Sequence, residues 1–202
     1  MNDQPLLLLL MIAAGVYVAK LWRDDCRNAQ IGQPKPGALP GASSASPKLV
    51  ILAVAGALIL LAFETWGEIQ LGIASEQSRI TVLFGLYTLS AAIIEEVIFR
   101  GYVVLKTNRH SLRWLGILAA SAVFALLHPF LWSWEDGFAL TFGLKGWFST
   151  GMIFLGSVWF YAMRFAGWNT TQSLLPCFAA HMAKNLGVFA IKAQQGFVEG
   201  WW

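Results

Sequence analysis

Ile94-Glu95-Glu96-Val97-Ile98-Phe99-Arg100-Gly101 puts two carboxylates and a guanidinium inside an apolar run, 80–105, that is long enough to cross a bilayer. Each such charge near the centre of a membrane helix costs about 2.5 to 3.5 kcal/mol on the insertion scale. Three in six residues need a compensating reason, and that reason is usually chemistry. On a helix Glu96 and Arg100 stand four apart on one face, within reach of an ion pair, while Glu95 lies about 100° further round. Arg100 can therefore hold Glu96 ionised and leave Glu95 to face something else.

The rest of the chain fits a membrane setting. Of 202 residues 57% are hydrophobic and only 12% charged, which is too apolar for an ordinary soluble domain of this length. The expected fold class is all-α, a polytopic membrane helix bundle with about six transmembrane helices. No basic helix or glycine-rich RNA motif suggests nucleic acid as a partner. Cys26, in a polar segment, and Cys177, in an apolar one, make neither a disulfide framework nor a CxxC metal pattern. Ten Trp and fourteen Phe suit interfacial belts and lipid-facing surfaces.

Taken in order, 5–21 reads as a retained first span, since Asp3 rather than a basic segment precedes it. Residues 23–47 hold Pro34, Pro36, Pro40 and Pro47 among Gly and Ser and read as a linker. Further spans are expected over 48–63, 80–105, 114–128, 146–165 and 171–191. The third would be roughly 39 Å long if α-helical throughout. A loop with Glu64 and Glu68 would follow the second span, Pro129 would stop the fourth, and Asn169, Thr170 and Thr171 would cap the sixth. Glu135 and Asp136 would form a solvated edge. The chain divides into 1–47, first span plus linker, and 48–202, a membrane-embedded core with its motifs within 80–191.

Loop charges set the expected orientation. With the amino terminus outside, the inner segments hold nine basic residues: Lys20, Arg23, Arg27, Lys35, Lys48, Lys106, Arg109, Arg113 and Arg164. The outer ones hold three, Arg79, Lys145 and Lys192. Both termini are therefore expected outside. Measured from the inner ends of their spans, Glu95 lies about 15 Å deep, His128 about 21 Å and His181 about 15 Å. The polar residues of three helices thus converge in the middle to outer half of the membrane.

Three constellations carry the chemistry. The first is Glu95, Glu96 and Arg100, whose plain alternative is an ion pair pinning helices together. The second is Phe124 with His128, four apart on one face, where Phe124 reads as packing. The third is His181 with Asn185, again four apart, whose plain alternative is a pair of interhelical hydrogen bonds. Lys184 between them reads first as a snorkelling side chain, with an acidic partner or a wet cavity as alternatives.

In this order EExxxR, FxxxH and HxxxN resemble the motifs of the CAAX-protease and bacteriocin-processing family, which includes the Rce1-like type II CAAX prenyl endopeptidases. The resemblance covers about 80–191. It implies an intramembrane endopeptidase in which Glu95 acts with His128 to activate water, His181 and Asn185 donate to the oxyanion, and Glu96 with Arg100 orients the site. Its partners would be the bilayer and a membrane-associated or lipidated protein or peptide substrate.

A metal alternative stands beside this, because Glu95, Glu96, His128 and His181 could make a zinc site with an open position for water. HExxH is absent, and Asn185 and Arg100 are poor zinc ligands with natural roles in a glutamate mechanism, so no cofactor is favoured. Rival classes are a non-enzymatic immunity or partner-binding protein on the same scaffold, and a proton- or ion-coupled transporter. Against the last, the polar intramembrane residues all follow residue 90 and no inverted repeat is visible.

Overall fold

The structure, a computed structural model, describes residues 4–134 and 137–202. Asp3, Glu135 and Asp136 lie outside the described residues, and with them the expectation of an acidic solvated edge. Six long helical segments follow one another: α1 (Pro5–Gln30), α2 (Pro47–Gln70), α3 (Val82–Glu95) continued by a π-helical segment (Glu96–Tyr102), α4 (His110–Leu127), α5 (Leu144–Phe165) and α6 (Leu175–Gln194). A two-residue ladder, β1 (Trp132–Ser133) with β2 (Ala139–Leu140), lies between α4 and α5.

The chain is an all-α membrane helix bundle. Four segments, α1, α2, α3 with its π continuation, and α4, are long and apolar enough to cross a membrane. At 1.5 Å per residue α5 and α6 reach about 33 and 30 Å, but they carry the polar load. Ser149, Thr150, Ser157 and Arg164 on α5, and His181, Lys184 and Lys192 on α6, are all buried. Leu6, Leu10, Val16, Ile51, Ile59 and Phe63 are more than half exposed, the pattern of a surface that faces lipid.

The connections sort onto two ends. At one end the segment between α1 and α2 touches the α5–α6 connection, where the Leu174 amide donates to the Gly41 carbonyl at 3.1 Å. Pro40 there also lies against Gly101, near the end of the π segment. At the other end the Ile80 amide donates to Phe197 and the Leu83 amide to Trp201, tying the approach to α3 to the carboxyl-terminal tail. Alternation of this kind is what six antiparallel crossings require.

Several expected boundaries move, each for a visible reason. α2 runs on to Gln70, so Glu64 and Glu68 lie on the helix rather than in a loop. Both find cations there, Glu68 with Lys145 and Glu64 with Lys184. α6 starts at Leu175 with Pro176 in its first turn, and no side chain caps it. Asn169 does other work. Its amide nitrogen donates to the Met163 and Ser173 carbonyls, and its oxygen accepts from the Ser173 amide, so it fastens the end of α5 to the approach of α6. The proline-rich connection is also fastened: the Leu39 amide donates to Asp25 at 2.9 Å, the Trp22 indole to the Pro40 carbonyl, and Thr171 to the Ser44 carbonyl. Its Leu39, Ala42 and Ala45 pack on a core made by Trp22, Ala53, Phe160, Leu174 and Phe178.

Small residues let the helices approach, as expected where no solvent drives them together. A Cβ added at Gly15 of α1 would stand 2.6 Å from the Ser90 Cβ and 2.7 Å from the Ser90 carbonyl oxygen of α3. Because backbone cannot yield as a flexible side-chain tip does, Gly15→Leu is expected to separate α1 from α3. The expected cost is about 1 to 3 kcal/mol, the range for overpacking, read as a lower unfolding midpoint in detergent.

Candidate active site

The run that decides the sequence reading is not one uniform helix. At Glu96 the backbone leaves the α register for a π segment ending at Tyr102, closed by the Val103 amide donating five residues back to Ile98 at 2.9 Å. Single π turns recur at functional sites, because widening the helix re-aims side chains and frees carbonyls. Here the Tyr161 hydroxyl of α5 lies 2.7 Å from the Phe99 carbonyl and 3.0 Å from that of Val103, which satisfies groups that hydrocarbon would not.

Glu96 and Arg100 are both 0% exposed. Arg100 Nη1 stands 3.1 Å from Glu96 Oε1, and Nη2 donates to Ser157 Oγ at 2.7 Å. Ser157 donates in turn to Ser121 Oγ of α4 at 2.9 Å. The guanidinium also faces the Phe124 ring at 4.4 Å, Tyr161 at 5.0 Å and Phe160 at 5.3 Å. Arg100 is therefore anchored to α3, α4 and α5 together, and its aromatic cage replaces water around a delocalised cation.

His181 bridges the two glutamates. Its Nδ1 lies 2.8 Å from Glu96 Oε1, and because a carboxylate only accepts, that nitrogen carries the proton. Its Nε2 stands 3.8 Å from Glu95 Oε2, beyond hydrogen-bond distance and therefore an open contact. The ring stacks on Phe160 with centroids 5.0 Å apart. Glu95 keeps 32% of its side chain exposed, whereas Glu96 keeps none, so the two neighbours occupy different environments, as the first motif predicts.

His128 caps the end of α4, with Nδ1 2.9 Å from the Phe124 carbonyl. Phe124, buried as expected, stands edge-on to both histidines, with centroids 4.8 Å from His128 and 6.3 Å from His181. The Phe124 ring joins His128 of the second motif to His181 of the third, and His181 reaches both glutamates of the first. All three motifs thus meet in one place.

Two residues differ from their expected surroundings. Asn185 donates to the Thr88 carbonyl of α3 at 2.9 Å, so one of its two amide hydrogens binds α6 to α3. Lys184 does not snorkel: it is buried and pairs with Glu64 of α2 at 2.8 Å, because α2 packs along α6 and brings a carboxylate within reach. The sequence reading missed Ser121, Ser157, Phe160 and Tyr161, which hold Arg100 and His181. The only signal in the chain was hydroxyls within apolar spans, which is weak because such groups commonly join membrane helices.

The donor set bears on the metal alternative at one atom. Glu96 Oε1, one of the candidate ligand atoms, is already engaged by both Arg100 and His181. Among the described residues no three His, Cys, Asp or Glu side chains are gathered as a metal-binding group.

No curated protein and no solved structure matches the chain. The family described as type II CAAX prenyl endopeptidase Rce1-like matches residues 77–187, more than half of the chain and the whole of the three-motif region. With the motifs meeting inside a membrane helix bundle and that match spanning them all, the chain belongs to the Rce1-like type II CAAX prenyl endopeptidase family, a family of membrane proteases.

Proposed function

We propose that this protein is a glutamate-type intramembrane endopeptidase that cleaves a membrane-anchored protein or peptide at a site enclosed by α3, α4, α5 and α6. The observation that carries this reading is the split between two adjacent carboxylates, Glu96 sealed against Arg100 and Glu95 open toward His181. A carboxylate fixed by a guanidinium orients; one left partly solvated can exchange a proton.

In the proposed reaction Glu95, helped by His128, takes a proton from a water molecule as the water oxygen attacks the scissile carbonyl. The carbonyl oxygen becomes an oxyanion beside His181 and Asn185. Glu95 then returns the proton to the departing amine as the C–N bond breaks, so the proton count closes with one water consumed. Glu96 and Arg100 act through His181: they fix its ring so that Nε2, not Nδ1, faces the reacting groups. Since Nδ1–H is already given to Glu96, His181 donates to the oxyanion from Nε2 in its doubly protonated form, and Asn185 donates its second amide hydrogen; oxyanion donors held in a water-poor site are worth about 2.7 to 4 kcal/mol each in the transition state. The nine-to-three distribution of basic residues further supports both termini lying outside.

The test is cleavage of a membrane-peptide library by purified protein in detergent, with and without a zinc chelator. Products that appear with wild type, persist in chelator and vanish in His128→Ala are the expected result. Loss of products on chelation with rescue by added metal would overturn the glutamate mechanism. If no product forms and a bound partner is retained equally by wild type and a Glu95→Ala/His128→Ala variant, the chain is a binding protein on this scaffold.

A further inference from the structure

The end of the bundle that gathers most of the basic residues holds a cavity that the proteolytic site does not use. It has a volume of about 370 Å³ and lies between the loop after the π segment, the start of α4, and the α5–α6 connection. Its polar lining is Lys106, Thr107, Asn108, Arg113 and Gln172, two cations and three hydrogen-bonding side chains, with no acidic residue. Neither Lys106 nor Arg113 has a carboxylate partner among the described residues, although Glu68, Glu64 and Glu96 elsewhere in the bundle each hold a cation.

The groups are held in place. Arg113 donates through Nη2 to the Thr107 carbonyl at 2.9 Å and lies over the Phe165 ring at 5.7 Å, which leaves much of its donor fork free. The loop bends back through the Arg109 amide, which donates to the Thr107 hydroxyl. Gln172 sits at φ 50°, the one non-glycine residue in the left-handed region among those described, and its amide donates to the Asn169 carbonyl at 2.8 Å. A long side chain kept in this backbone state by the buried Asn169 network reaches the cavity from the opposite wall.

The rim is apolar. Leu105 and Phe165 line the same cavity, and Leu105 is 51% exposed. Leu112, Leu115 and Leu118 leave α4 with further exposed apolar surface of the kind that meets acyl chains. A second cavity of about 250 Å³ adjoins the first, sharing Arg113 and Phe165 and adding His110 and Trp114.

Positive charge without counter-charge, donors on opposite walls and an apolar rim at the membrane boundary form a receptor for a phosphate group. Arginine offers a fork to phosphate oxygens and lysine a mobile point charge. Basic pockets of this kind at the end of a helix bundle suit lipid headgroups. The geometry points to a phosphate-binding site formed by Lys106, Arg113 and Gln172, which takes the headgroup of an anionic phospholipid from the leaflet at the basic end of the bundle. It is separate from the Glu95 site, and its occupancy does not depend on whether the protein cleaves peptides.

The experiment is native mass spectrometry of the full chain, delipidated in detergent and titrated with phosphatidic acid, phosphatidylglycerol or phosphatidylcholine. A parallel thermal-melting series uses inorganic phosphate alone. Wild type is expected to retain one anionic lipid per chain, at least tenfold more tightly than phosphatidylcholine. Lys106→Gln/Arg113→Gln is expected to lose at least tenfold in that affinity. Lys106 is exposed, so Lys106→Glu tests the charge with the fold intact and should weaken binding, while Arg109→Gln, a nearby basic residue outside the cavity, should not. Stabilisation by inorganic phosphate that Lys106→Glu abolishes, without lipid retention, would assign the same site to a soluble phosphate. Equal lipid retention and equal phosphate response in wild type and Lys106→Glu would overturn the site.

Discussion

Glu95→Gln is expected to lower the rate of peptide cleavage by about 10² to 10⁴-fold, the contribution of a positioned proton-transfer group, with little change in the unfolding midpoint. The two halves of this expectation have separate grounds. Among the described contacts Glu95 makes no hydrogen bond: His181 Nε2 stands 3.8 Å away, and 32% of the Glu95 side chain is exposed. Replacing one oxygen by an amide therefore leaves packing and hydrogen bonding almost untouched. The amide cannot take a proton from water, so chemistry should stop while the fold persists. Cleavage rate and thermal melting measured on the same detergent sample decide the matter. Full activity in Glu95→Gln would remove Glu95 from the mechanism. Joint loss of activity and stability would make it a structural residue instead.

Arg100→Ala is expected to be the most destabilising single substitution in the site, at about 3 to 5 kcal/mol, the usual cost of leaving one member of a buried ion pair uncompensated. Glu96 is fully buried, and its Oε2 has no hydrogen-bond partner, so Arg100 is its only compensating cation among the described contacts. Removing the guanidinium also leaves Ser157 without its donor and empties a cage of three aromatic rings. Two comparisons separate these contributions. Ser157→Ala, which cuts only the hydroxyl chain, should cost about 0.6 kcal/mol, the average for an interhelical hydrogen bond in a membrane. Glu96→Gln/Arg100→Met removes both charges and should recover most of the stability lost in Arg100→Ala without restoring full activity. Unfolding by denaturing detergent, followed by circular dichroism, gives all three values. Arg100→Ala as stable as wild type would show that the pair is not sealed from water.

Where helices run and which polar residues interrupt them were both legible in the chain, for different reasons. Apolar length reports a membrane span directly, because hydrocarbon tolerates few charges. For that reason the exceptions, Glu95, Glu96, Arg100, His181 and Asn185, stood out against their surroundings. The same reasoning failed at the ends. α2 reached past Glu64 and Glu68 to Gln70 because each glutamate found a lysine on another helix, which no local pattern can announce. Asn169 looked like a cap for α6 and instead joins the two helices on either side of it, since its partners are set by where α5 ends.

The sequence by itself determined that this is a membrane bundle, that three motifs lie on separate helices, and that Glu96 and Arg100 share a face, because hydropathy and four-residue spacing are properties of single segments. Only the tertiary structure decided how those motifs are joined. It turned the helix into a π segment at Glu96, set His181 between the two glutamates, engaged Asn185 with Thr88, and supplied Ser157, Ser121 and the aromatic cage to Arg100. Each of these depends on a partner between 24 and 97 residues away in the chain, and the demand for polar and ring contacts in a medium without water selects that partner only once the helices have packed.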